Sequence, residues 1–511
     1  MANLPGFLTE MGIEVEPIGM IGDGAEVTKA PLILTRGKER EVKIEDLVLV
    51  ENLNGNWVLG VCRRGFGRSP GLRRDRYSPG RAYARMGMQP SEARESFDFT
   101  ISIIGELTPN GIRQNKLIIA PRSRAYAFRK GSPLALLGGS LDIGYYKDHP
   151  SWVVPVRPEF IPYHMGVFCV TGWGKSSFVR CKIIPLLRHA GYGVLVFDWK
   201  GDDYVPYAEA LGAEVLKLEQ IACLPPDMGA VYIIKKANSF GFSAGSAILN
   251  NIEIALLEAL EKITGQEEKG EEPQPKPFPT SGLTAEQIKT LLEEAALAKM
   301  KELIDKKYLE LAERRFLARF KRLDARIFKL LTPAGKLKPE DVIEKARKGT
   351  VIIDLSGWEP EEKLTAFLSI ASYVWQKMNV EKESINIAFV IDEAPQYCPY
   401  QPKGVQEQTT RMIEGLCALG RSYKLPIVII SQGLKGDIGI NPAVRRNINT
   451  WFIGKVHPLD REEAQNMLPG VDIDFLQSLE VGHFYFYGNM CPSPVPLLIR
   501  FSIENCFKGQ G

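Results

Sequence analysis

Two kinds of hydrophobic spacing divide this chain. Up to about residue 150, apolar residues come in short runs such as Val42-Lys43-Ile44, Leu47-Val48-Leu49-Val50 and Trp57-Val58-Leu59-Gly60-Val61, punctuated by Gly, Pro and Asn. Short alternating runs fit strands buried on one face. The last two flank a segment in which Asn54-Gly55 is a hairpin-turn signal. The spacing over residues 1–150 predicts a small N-terminal β-barrel domain. From about residue 151 the apolar runs become longer and alternate with helical stretches. Gly193-Val194-Leu195-Val196-Phe197-Asp198, Val351-Ile352-Ile353-Asp354-Leu355 and Trp451-Phe452-Ile453-Gly454-Lys455 all read as buried strands. Residues 151–511 are therefore expected to form an α/β core around an open parallel sheet.

Residues 246 to about 348 break that rhythm and predict a helical insertion. Its middle, 267–277, is too charged and proline-rich to pack and reads as a linker. Thr284-Ala285-Glu286-Gln287 then restarts a helix with a capping-box pattern. The basic positions Arg314, Arg315, Arg319, Lys321, Arg322 and Arg326 read as a solvated helix face or as a nucleic-acid contact.

Chemistry gathers at three strand ends. The run Val167-Phe168-Cys169-Val170 empties into Thr171-Gly172-Trp173-Gly174-Lys175-Ser176-Ser177 and then into helix-compatible sequence. Glycines at 172 and 174 let successive amides turn inward on a phosphate. Lys175 would reach the β and γ oxygens, and Ser176 would ligate Mg²⁺. The helix start adds a positive dipole end. One departure stands out, because Cys169 occupies the position where the G-x-x-x-x-G-K-[ST] pattern has its first glycine. Trp173 is a second oddity, expected to project from the phosphates toward a neighbouring subunit or toward the nucleotide. Downstream, Asn386-Ile387-Ala388-Phe389-Val390-Ile391 ends in Asp392-Glu393. Asp392 would hold Mg²⁺ and Glu393 would polarise the attacking water. Ile427-Val428-Ile429-Ile430-Ser431 ends in Gln432, an amide suited to sensing the γ-phosphate. Ligands of open α/β sheets sit beyond the carboxyl ends of strands, which is where all these residues fall.

Composition narrows the partners. A net charge of +3 over 511 residues is no polycation. Nucleic-acid contact would need local clustering or a ring of subunits. The most basic stretch, Arg63, Arg64, Arg68, Arg73, Arg74, Arg76, Arg81 and Arg85 interleaved with Phe66, Tyr77 and Tyr83, is Gly- and Pro-rich and so predicts a loop. That loop would contact a phosphate backbone, or lie at a subunit contact or in solvent. Eight cysteines without C-x-x-C spacing argue against a zinc module and fit a reducing cytosol. Five dispersed histidines give no metal-hydrolase spacing. Asn115-Lys116-Leu117-Ile118 lacks the aspartate of guanine recognition, no Leu-Ser-Gly-Gly-Gln signature appears, and no apolar run approaches membrane-spanning length. A soluble cytoplasmic protein is expected.

Six features taken in order resemble the HerA family of the HerA/FtsK superfamily. They are the run from His164 into the Thr171–Ser176 turn, the Val196-Phe197-Asp198 strand with Gly201-Asp202, the Ile391-Asp392-Glu393-Ala394 strand, the Leu419-Gly420-Arg421-Ser422-Tyr423 helix end, the Ser431-Gln432 strand end, and the barrel-then-ATPase layout. The resemblance implies a RecA/FtsK-like P-loop ATPase core and a homo-hexameric, ATP- and Mg²⁺-dependent translocase of double-stranded DNA. It also implies a partner, a NurA-like nuclease in end processing or another effector in defence. Arg421 matches the arginine that serves ATP hydrolysis around a subunit boundary, in cis or in trans. Two other readings remain: a conjugation or packaging ATPase, and a nucleotide-dependent ring scaffold with little turnover.

Overall fold

The computed structural model describes residues 4–73, 78–89, 95–221, 226–264, 283–331 and 336–502. Arg74, Arg76 and Tyr77 of the basic stretch and the expected linker at 267–277 lie outside the described residues. The chain is mixed α/β and divides into two compact units, Met1–Val196 with Met378–Gly511, and Phe197–Lys377.

The first unit holds two sheets. The N-terminal sheet has seven strands in the order Lys29–Leu34, Glu14–Ile21, Arg124–Lys130, Leu47–Glu51, Trp57–Arg68, Ser96–Thr108 and Gly111–Arg113. Lys29–Leu34 also pairs with Ser96–Thr108, from Lys29 opposite Ser102 to Ile33 opposite Asp98, so the path through the first six strands returns to its start. Side chains from all sides of that circuit, among them Ile18, Leu32, Val48, Val50, Val58 and Ile101, share one core. Each such aliphatic side chain stabilises the fold by roughly 1.5–3 kcal/mol when fully buried. The expected hairpin is present: Glu51 faces Trp57, and Gly55 turns at φ 81°.

Among the described residues, the basic stretch is strand and helix at its two ends rather than loop throughout. Arg63–Arg68 continues the long strand Trp57–Arg68, and Pro79–Arg85 is a short helix. Gly65 lies opposite Phe99 and Gly67 opposite Phe97, and a Cβ on Gly65 would stand 3.0 Å from the Phe99 ring. The rings of the facing strand fill the space the glycines leave, so glycine here marks cross-strand packing rather than a break. Arg63 also departs from the expected role. Its guanidinium is buried, ion-paired with Glu45, and donates to the Pro496 carbonyl. Burial pushes the Glu45 carboxyl up even against the Arg63 charge. Tyr146 donates to the Glu45 carbonyl at 2.7 Å and Lys147 meets Asp46 at 2.6 Å, which ties this corner to the second sheet.

In that second sheet Ile387–Ile391, Ile427–Ser431, Met165–Phe168 and Thr450–Ile453 lie side by side and parallel. His483–Gly488, Leu497–Arg500, Leu141–Tyr146 and His149–Val156 extend it antiparallel. The sheet is therefore mixed rather than purely parallel, and its strands begin at Leu141, ahead of residue 151. Antiparallel neighbours need only short turns, and Gly488 to Leu497 and Tyr146 to His149 supply them.

The second unit pairs Ala213–Lys217 with Thr350–Asp354 in parallel and carries the helices Ala247–Thr264, Ala285–Leu303, Lys306–Phe320 and Pro339–Lys348. The Thr284 capping box forms with Gln287. Arg315 and Arg319 of the expected basic face are spent locally. Arg315 donates to Gly241 O at 2.9 Å and Arg319 to Asn238 O at 2.8 Å, across a turn whose residues 238–241 all have positive φ. Asp198 is likewise internal: its carboxylate accepts the amides of Gly201, Tyr204 and Val205 at 2.9–3.1 Å.

Among the described residues five cysteines are free and buried, and Cys181 is disulfide-bonded. Among the described residues no helix is long and apolar enough to cross a membrane.

Candidate nucleotide site

Strand register brings the three chemical strand ends to one edge. Phe168 sits beside Ser431, and Ile391 beside Ile429, in adjacent parallel strands. The loop after Phe168, the acids after Ile391 and Gln432 after Ser431 thus leave the sheet together, with the Gln432 strand in the middle. Neighbouring strands are ~4.8 Å apart, so the loop strand and the acid strand lie within ~10 Å of each other.

The loop has the shape of an anion cradle. Gly172 (φ 82°) and Gly174 (φ 91°) take left-handed conformations that side chains disfavour, and no atom lies within 4 Å of a Cβ placed on Gly172. Lys175 opens the helix and is 8% exposed. The helix widens to a π-turn over Val179–Ile183, where Pro185 has no N–H to return one turn back. Ser176 occupies the first turn. The Ser177 hydroxyl accepts from Arg180 at 3.1 Å, which turns it along the helix.

Cys169 sits in the wall behind the loop. It is fully buried, its φ is not positive, and its thiol, pushed up to about 12 by burial, faces the Lys175 amide. Room for it comes from the next strand: a Cβ on Gly454 would stand 2.8 Å from the Cys169 Cβ.

Trp173 packs at least in part on its own chain. Its indole N–H donates to Leu479 O at 2.8 Å, and the Lys455 ammonium lies 4.3 Å from its ring centroid. The ring braces the loop on the chain's own surface, and Lys455, which the sequence did not single out, enters the loop's surroundings through it.

The acids are distinct in setting. Asp392 is 1% exposed, whereas Glu393 is half-buried and held at φ 49°. Gln432 Nε2 donates to Glu393 Oε1 at 3.1 Å and lies 3.4 Å from Oε2, and Thr171 Oγ1 donates to Gln432 Oε1 at 2.8 Å. Ser176 and Asp392 offer the hydroxyl and carboxylate oxygens that a hard divalent cation takes, so this donor set fits Mg²⁺.

Arg421 is not brought to this edge. It follows the helix Val405–Gly420, and its guanidinium carbon stacks 4.3 Å over the Tyr163 ring. Tyr163 precedes Met165–Phe168, so Arg421 lies at the opposite end of the strand from the phosphate loop, about 13 Å away along four residues.

His164 pins that far edge. One ring nitrogen lies 2.8 Å from the Cys417 carbonyl and the other accepts the Ile427 amide at 3.2 Å. Burial pushes its imidazole down to about 4. An unfolded histidine titrates near 6.5, so between roughly pH 6.5 and 4 the unfolded chain takes up a proton that the folded chain refuses. Stability from this group is full above about pH 6.5 and falls as the pH drops toward 4, by on the order of 3 kcal/mol. Between about pH 7 and about 4.5, wild type is expected to lose more thermal stability than His164→Gln. Equal losses would contradict this.

Residues 141–373 match the family described as the central domain of the helicase HerA. None of the curated proteins matches the chain. Among solved structures, VirB4 of Thermoanaerobacter pseudethanolicus is 17% identical over 71% of this chain and 97% of that one, with a TM-score of 0.46. The bacterial conjugative coupling protein TrwB is 14% identical over 68% and 87%, with a TM-score of 0.40. The genome packaging NTPase B204 from Sulfolobus turreted icosahedral virus 2, in complex with AMPPCP, is 12% identical over 66% and 98%, with a TM-score of 0.28.

Proposed function

We propose, from the premise that residues 141–373 are a HerA-type helicase central domain, that this chain is the subunit of an ATP-driven DNA translocase. It would act as a homo-hexamer on double-stranded DNA, with a partner nuclease or other effector completing the pathway. The observation that carries the ATPase reading is the convergence on one sheet edge of the Gly172–Lys175 loop, the Asp392-Glu393 pair and Gln432.

The loop amides and Lys175 would bind and orient the triphosphate. Ser176 and Asp392 would hold Mg²⁺, whose chemistry is to neutralise charge on the β and γ oxygens. The Glu393 carboxylate would accept a proton from the attacking water, and the Gln432 amide would meet the γ-phosphate or that water. Arg421, on the far edge, would serve the site of another copy, and an arginine there stabilises charge on the transferring phosphoryl group. Six subunits around one pore would supply enough cationic side chains to move a duplex by its backbone, irrespective of sequence.

A ring scaffold with little turnover is the second reading, and the departures at Cys169 and Trp173 are what favour it. Steady-state phosphate release with and without double-stranded DNA separates the two. Turnover raised by DNA is expected; tight ATP binding with no turnover in either condition would leave the scaffold. The conjugation or packaging reading would be favoured by an ATPase that responds to DNA but associates with no nuclease or defence effector.

A further inference from the structure

Thr171 belongs to the phosphate loop, yet its side chain reaches along the strand ends to Gln432. Its hydroxyl donates to Gln432 Oε1 at 2.8 Å, and Gln432 Nε2 donates to Glu393 at 3.1 Å. The direction of the chain is fixed by chemistry. An ionised carboxylate has only acceptors, so the Gln432 group facing Glu393 must be its NH₂. The Gln432 oxygen must then face Thr171, whose hydroxyl is the donor. Any rotation of the amide by half a turn would set two acceptors against each other at the Glu393 end.

The three residues come from three places in the sequence, and each has a different freedom. Glu393 sits at φ 49°, in a backbone pose that limits where its carboxylate can reach. Gln432 ends a fully buried strand, so only its side chain can turn. Thr171 belongs to the loop that would receive a triphosphate. We propose that Thr171 is a positioning residue: through the Gln432 amide it holds the Glu393 carboxylate in place and couples phosphate-loop occupancy to the group that polarises water. Thr171 contributes to nucleotide binding only through its backbone, and the hydroxyl acts on the chemical step. The proposal rests on the ATPase reading above and adds to it the residue that links loop to acid.

The test is a set of variants of the full chain assayed for ATP turnover and for nucleotide affinity by direct binding. Thr171→Val keeps the shape and removes the hydroxyl; Thr171→Ser keeps the hydroxyl. Thr171→Val is expected to lower kcat about tenfold, the rate equivalent of one well-placed hydrogen bond, with nucleotide affinity unchanged. Thr171→Ser should restore kcat. In a cycle with Gln432→Ala, the double variant should be no slower than Gln432→Ala alone, because both changes break the same relay. Wild-type kcat in Thr171→Val overturns the proposal, and so do losses that multiply in the double variant. A loss of affinity matching the loss of turnover also overturns it, since that marks a disturbed loop. A wild-type protein without any turnover sinks the ATPase reading and this proposal with it, an outcome distinct from an active enzyme indifferent to Thr171.

Discussion

Lys175→Ala is expected to cut ATP turnover by ~10³-fold or more, to the limit of detection, while the protein stays folded. The size follows from where the ammonium sits. It is 8% exposed at the head of a helix whose preceding loop offers backbone amides and no other cationic side chain from its own residues. Charge stabilisation in such a water-poor site is worth far more than at a surface, and removal of one preorganised donor typically costs ~10²–10³ in rate. On the proposed reading Lys175 would also orient the phosphates, so its loss should affect binding as well as chemistry. Folding should change little, because a small side chain at a helix start removes a buried charge instead of leaving one unpaired. Phosphate release, nucleotide titration and a melting curve on the same preparation check all three statements. Undiminished turnover would show that the triphosphate is gripped elsewhere.

Arg421→Ala is expected to lower kcat by ~10³–10⁵-fold with nucleotide binding retained, the range for removing an arginine from phosphoryl transfer. The far-edge position of Arg421 makes this effect testable between subunits. Mixed with Lys175→Ala subunits, Arg421→Ala subunits should regain measurable turnover. Some junctions then pair an intact phosphate loop from one variant with an intact arginine from the other. An arginine acting on its own subunit would give no such complementation. The stacking of Arg421 on Tyr163 is exposed and worth only ~0.5–1 kcal/mol, so a folding defect cannot masquerade as the kinetic one. Unchanged melting with unchanged turnover would remove Arg421 from the mechanism.

What the sequence made legible was what depends on near neighbours in the chain. The Gly172-Trp173-Gly174-Lys175 turn, the Asp392-Glu393 couple and the terminal Gln432 are each written within a dozen residues, as an apolar run with a chemical end. The Asn54-Gly55 hairpin and the Thr284 capping box are local in the same sense, and both formed. Distant partners were not legible. Gly65 and Gly67 looked like breaks because Phe99 and Phe97, which cover them, lie on another strand. Arg63 read as part of a surface stretch, for nucleic acid, a subunit or solvent, because nothing near it announces Glu45 or the Pro496 carbonyl. Trp173 gave no hint of Leu479, nor Arg315 and Arg319 of the turn at 238–241. The antiparallel extension of the second sheet is not written locally, because the pairing of His483–Gly488 with Thr450–Ile453 and Leu497–Arg500 depends on distant partners.

The fit of Cys169 against Gly454 carries a lesson about spelling. The volume that one residue gives up has been taken by another on the adjoining strand, so the pair trades a methylene across the wall behind the cradle. The wall behind that first position is set by two residues jointly. A consensus string that insists on one letter there would pass over this chain, though Gly172, Gly174, Lys175 and Ser176 are all in place.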